Sequence, residues 1–67
     1  MQVANLVQQR RKELKLTQAE AALLAGVSPR FVFDVENGKT TVALDRLTLL
    51  LGALGLQMRI EVANIER

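Results

Sequence analysis

The sequence predicts an all-α fold, a bundle of four short helices, followed by a single C-terminal β-strand that pairs across a homodimer. Three observations predict it. Apolar residues recur at helical spacing from Val3 to Leu54, helix caps and helix-ending glycines punctuate that stretch, and from Leu56 the pattern switches to strict alternation. The 67 residues allow one domain with a small core, and an apolar content of 49% is enough for the chain to fold rather than stay disordered. Phe31 and Phe33 are the only aromatics, so Leu, Val and Ala must build the core, which points to closely packed helices. With no Cys and no His, disulfides and the usual zinc sites are excluded, and oligomerisation remains as the way to stabilise so small a domain.

The elements follow in order. Val3, Val7 and Leu14, with Leu6 beside them, place a first helix from about Val3 to Lys15, whose polar face carries Gln8, Gln9, Arg10, Lys12 and Glu13. Thr17-Gln18-Ala19-Glu20 is a capping box, and it opens a second helix that runs from about Gln18 to Ala25 and stops at Gly26. Ser28-Pro29 opens a third helix at once, since Ser caps it and Pro at the first helical position loses no hydrogen bond. Val32 and Val35 face inward there, and Asn37-Gly38 ends it. After the polar connector Lys39-Thr40-Thr41, a fourth helix runs from Val42 or Ala43 to Leu54, with Leu44, Leu47, Leu50, Leu51 and Leu54 as its buried stripe and Gly55 closing it. Residues 1–55 form the helical part, 56–63 a strand of the same domain, and 64–67 a short end with no length to wrap a partner.

In the last segment Leu56, Met58, Ile60 and Val62 alternate with Gln57, Arg59, Glu61 and Ala63, which is strand period. Burying the four apolar residues gains roughly 6–12 kcal/mol, and ordering the backbone costs on the order of 7–14 kcal/mol. These nearly cancel, so the strand needs a partner that supplies hydrogen bonds, and the simplest is the same strand of a second copy. Centring an antiparallel ribbon on Ile60 sets Arg59 opposite Glu61 twice and Met58 opposite Val62 twice, whereas centring on Arg59 opposes like charges. Leu49 is expected beside the ribbon.

The formal charge is +2 and the pI about 9.7, with Arg10, Arg11, Lys12 and Lys15 clustered. A basic balance suits a nucleic-acid partner. The uncharged stretch from Leu47 to Met58 is too short to span a bilayer, and the start lacks the features of a signal peptide, so a cytoplasmic, nucleoid-associated location is expected with no membrane partner. An enzyme is not expected: there is no His or Cys, the only Ser is the cap Ser28, and the carboxylates are scattered. No cofactor or metal is called for. The second and third helices, joined by Ala25-Gly26-Val27, make a helix-turn-helix, in which one helix crosses the DNA backbone and the next enters the major groove.

Three motifs carry a resemblance. Leu16-Thr17-Gln18-Ala19-Glu20, Ala25-Gly26-Val27-Ser28 and Val35-Glu36-Asn37-Gly38-Lys39 resemble the Cro/C1-type repressor domain, also called the XRE family, over about Val3 to Gly55. Thr40-Thr41-Val42-Ala43-Leu44-Asp45, Ala53-Leu54-Gly55-Leu56 and the terminal strand resemble HipB-type antitoxins. The resemblance implies a lambda-repressor-like fold and repression of an operon through a palindromic operator of double-stranded DNA. It also implies a HipA-like toxin kinase as a partner to be restrained. A free-standing phage or plasmid repressor is the alternative, and an adaptor that has lost DNA binding is a second. Ala21 and Phe33 depart from the family, which usually carries a larger apolar residue at the first and often Ser at the second.

Site residues follow. On the third helix Ser28, Pro29, Arg30, Phe33 and Asp34 face outward as candidate base readers. Arg30 suits the O6 and N7 of guanine or else a phosphate; Asp34 suits a cytosine amino group or is a plain surface acid; Phe33 suits a thymine methyl or is exposed or packed on Ala21. Gln18, Lys39 and Thr40 are candidate phosphate contacts, and the resemblance adds Asn37. It further implies an ion pair between Arg11 and Glu36 joining the first and third helices. On that basis Arg11→Met is expected to be milder than Glu36→Ala.

Overall fold

A computed structural model of the chain describes residues 2–59 and residue 62. Its helices are α1 (Gln2–Glu13), α2 (Gln18–Ala25), α3 (Pro29–Glu36) and α4 (Leu44–Ala53). The caps explain where they start. Thr17 Oγ1 accepts from the Glu20 N–H at 3.0 Å while Glu20 Oε1 accepts from the Thr17 N–H at 2.8 Å, so the capping box is complete. Ser28 Oγ accepts from the Phe31 N–H at 3.0 Å, with Pro29 in the first turn of α3. Ala43 precedes α4 and gives no side-chain cap.

All four helices end the same way. A residue with positive φ follows each last turn, and the next N–H reaches back five residues along the chain to close it: Leu16 to the Arg11 carbonyl, Val27 to Ala22, Lys39 to Asp34 and Leu56 to Leu51. This is the Schellman closure, which satisfies carbonyls the helix leaves orphaned. Glycine holds the left-handed position at Gly26, Gly38 and Gly55, but after α1 it is Lys15, with φ 60°. That turn stops α1 at Glu13, two residues before the expected end, and leaves Leu14 partly in solvent.

The core is Val7 from α1, Ala21, Ala22 and Ala25 from α2, Phe31, Val32 and Val35 from α3, and Leu50, Leu51 and Leu54 at the end of α4. The three alanines let α2 lie close to both α3 and α4, while α1 packs on α3. Leu16, Val27 and Leu56, the residues that close three of the helix ends, turn back and pack on this core. Leu44 does not join the stripe expected of α4: it begins the helix and is exposed, and Leu47 is only partly buried.

Among the described residues there is no strand. Leu56 is taken up by the closure of α4, and the residues from Gln57 to Arg59 run without regular structure. The physical reason is the one that makes a lone strand unfavourable: one chain offers no edge to accept its backbone hydrogen bonds. Ile60 and Glu61 of the expected ribbon lie outside the described residues. No described helix is long and apolar enough to cross a membrane.

Candidate nucleic-acid interface

The turn between α2 and α3 is set by Gly26, whose φ of 77° is open to glycine at little cost, and by Ser28, extended at φ −79° and ψ 152°. With Val32 and Val35 wholly buried, α3 is locked against the core and its opposite face is left to solvent. Ser28, Pro29, Arg30 and Phe33 are exposed there, and Asp34 is half-buried at the edge.

These side chains are coupled. The Arg30 guanidinium lies 5.4 Å from the centre of the Phe33 ring, within cation–π range, and its Nε donates to Asp34 Oδ1 at 3.1 Å. Lys39 Nζ approaches the other oxygen, Oδ2, at 3.7 Å. Asp34 therefore holds one cation on the helix and one in the loop after it. An aspartate so engaged is less available to a cytosine amino group than sequence reasoning allows. Asn37 Nδ2 donates to the Phe33 carbonyl at 2.8 Å, and Thr40 is exposed in the connector.

Behind this face lies the ion pair of α1 and α3. Arg11 Nε and Nη2 donate to the two Glu36 oxygens at 2.6 and 3.0 Å, and Arg11 Nη1 donates to the Leu16 carbonyl at 2.8 Å. Gln18 Nε2 adds a third bond to Glu36, at 3.1 Å. Gln18 is thus tied to the ion pair, which fixes it at the start of α2. The Glu36 side chain keeps only 2% of its surface exposed and Arg11 11%, so the carboxylate is the more buried partner. Burial pushes the Glu36 carboxyl up, but hydrogen bonds from Arg11 and Gln18 and the charges of Arg11 and Lys12 outweigh it and hold the group below its ordinary value. The bond to Glu36 in turn raises Arg11, against the effect of burial.

Arg46 is not marked by the sequence, and Arg10, expected only on the polar face of the first helix and in its basic cluster, has a structural partner. Arg10 Nε donates to the Leu54 carbonyl at 2.8 Å, tying α1 to the end of α4. With Arg11 in the ion pair, half of the basic cluster of the first helix therefore has structural partners. Arg46 lies with Arg30 and Lys39 around a cleft of about 310 Å³ between the start of α3 and the start of α4. A cation in the first turn of a helix opposes the helix dipole, and that was the signal available for Arg46.

The profile of the helix-turn-helix family matches residues 7–60, which covers α2, α3 and the turn between them together with most of α1 and all of α4. The chain belongs to the helix-turn-helix family. This helix-turn-helix chain is 40% identical over 58 residues to an uncharacterized HTH-type transcriptional regulator of Sinorhizobium fredii, covering 87% of this chain and 76% of that protein. It is 36% identical over 58 residues to an immunity repressor protein of Bacillus phage phi105, where it spans only 40% of the relative. Its fold matches a solved structure of MDT protein with a TM-score of 0.80 at 27% identity, over 94% of this chain and 89% of that one.

Proposed function

We propose that the chain is a sequence-specific DNA-binding transcriptional repressor that lays α3 in the major groove of a palindromic operator as a homodimer. The observation that carries the reading is the outward face of α3, where Arg30 stands above Phe33 and is aimed by Asp34. Its support is a family of DNA-binding transcription regulators, with a transcriptional regulator and a phage immunity repressor among the relatives. In this reading Ser28, Pro29, Arg30 and Phe33 meet base edges with Asp34 orienting Arg30, and Gln18, Asn37, Lys39 and Thr40 meet phosphates. Selection from random-sequence DNA followed by gel shift tests it. A single enriched palindrome is expected, and no enrichment would leave a protein-binding adaptor in its place.

The dimer is drawn from the alternating segment Leu56 to Val62, with Met58, Val62 and Leu49 exposed in the single chain. An antiparallel ribbon of Met58, Arg59, Ile60, Glu61 and Val62 would cover part of that surface and deliver two copies of α3 about one DNA turn apart. A finer reading makes the protein the antitoxin of a HipA-like toxin kinase, supported by the likeness of Thr40 to Asp45 and Ala53 to Leu56 to HipB-type antitoxins. The neighbouring reading frame separates this from a free-standing repressor, and co-purification with the product of that frame tests it directly.

A further inference from the structure

We propose that the cleft between the start of α3 and the start of α4 seats one phosphate of the DNA backbone, and that Arg46 of α4 holds it. The proposal rests on the DNA-binding reading above and extends the contact surface beyond the helix-turn-helix pair to α4. Three cations, Arg30, Lys39 and Arg46, line the cleft against a single carboxylate, Asp34. Arg30 and Lys39 share that carboxylate. Arg46 does not: its backbone N–H bonds Asp45, and among the described residues its guanidinium has no partner. The cleft therefore carries an uncompensated positive charge that an anion would neutralise.

Place and size select the anion. The cleft shares Arg30 and Asp34 with the reading face of α3, so a duplex that takes α3 into its major groove brings a wall of that groove to the cleft mouth. At about 310 Å³ the cleft has room for a phosphate group that keeps part of its hydration. The hydroxyls of Ser28 and Thr41 line the same space and can donate to phosphate oxygens. A guanidinium with five fixed donors suits such a group better than a loop lysine alone.

The test measures binding of the full chain to a random-sequence duplex and to the duplex recovered by selection, as a function of salt. Removing one phosphate contact lowers the salt slope by about 0.9, so the advantage of the parent over Arg46→Gln should shrink about 3.5-fold between 50 and 200 mM salt, equally on both duplexes. Arg46→Lys should keep the parent slope. A panel of selected duplexes, each with one uncharged methylphosphonate, adds the location: one substitution that weakens the parent should have no effect on Arg46→Gln. An unchanged slope in Arg46→Gln overturns the proposal and leaves DNA binding intact, as does a loss confined to the selected duplex. If the parent binds neither duplex, the DNA-binding reading itself fails, and this proposal fails with it. Arg46 is exposed and, among the described residues, unbonded through its side chain, and matching thermal melts of parent and variant verify that folding is not what changed.

Discussion

Glu36 accepts three hydrogen bonds from two side chains while almost wholly buried, and Arg11 gives three, one of them to a backbone carbonyl. This geometry reverses the expected order of the two substitutions. Glu36→Ala leaves an arginine that keeps the Leu16 carbonyl and can extend toward water. Arg11→Met leaves the more buried charge with only the Gln18 amide. Breaking a buried pair costs about 3–5 kcal/mol, and thermal melts at neutral pH should show Arg11→Met losing at least as much as Glu36→Ala. The acid behaviour distinguishes them further. In the parent the Glu36 carboxyl is held below its unfolded value, so its contribution is complete above about pH 4–5 and is lost as pH falls through the folded value. In Arg11→Met burial is opposed only by the Gln18 bond and the Lys12 charge, so the carboxyl should rise relative to the parent. That variant should therefore lose less stability than the parent as pH falls from about 7 to about 4. Equal losses in the two proteins over that range would refute this account. On the reading face, Arg30→Ala should lower the ratio of operator to random-DNA affinity, whereas Lys39→Ala should weaken both alike and reduce the salt slope by about one unit. Equal specificity ratios in the two variants would mean that base and phosphate contacts are not divided in this way.

At the scale of elements, the four helix ends use one device with one exception. Lys15 carries a side chain in the left-handed conformation that glycine occupies after the other three helices. A non-glycine residue there costs roughly 1 kcal/mol. Lys15→Gly should therefore raise stability by up to about 1 kcal/mol, measured by denaturant titration with unchanged slope, less whatever the lysine charge contributes near the end of α1. An unaltered or lowered midpoint would show that the strain is already offset locally. The same comparison explains the reach of Lys39. It occupies the position that Leu16, Val27 and Leu56 fill at the other ends, but being polar it turns toward Asp34 at the surface instead of joining the core.

At the scale of the whole molecule, Met58 and Val62 of the segment proposed to pair are exposed, as is Leu49 of α4. Because Leu56 closes α4, a cut directly after Gly55 would damage the helix as well as the ribbon. A chain ending after Gln57 keeps that closure. It should sediment as a monomer and bind a full operator poorly while retaining the fold. A dimer of unchanged stability in the shortened chain would assign the interface elsewhere, with exposed Leu6, Leu14, Leu23, Leu24 and Leu44 among the other apolar candidates on the surface.

Much of this molecule is written locally. The capping box at Thr17, the Ser28-Pro29 start and the glycines at 26, 38 and 55 act within a few residues, so helix order, the turn between α2 and α3 and the outward set on α3 were legible without coordinates. The partnership of Arg11 with Glu36 was legible only through family likeness, because 25 positions separate the two. What depended on distant chain segments meeting was not legible. Nothing in the identity of Lys15 marks a left-handed turn, so periodicity carries the first helix to it, and apolar spacing draws Leu44 into a stripe although its side chain is left exposed at the start of α4. Arg10 finds the Leu54 carbonyl 44 positions away, and Arg46 joins Arg30 and Lys39 only because the bundle brings the starts of α3 and α4 together. Local hydrogen-bond chemistry is encoded residue by residue, whereas a buried charge or a shared cleft exists only once packing has chosen which surfaces meet.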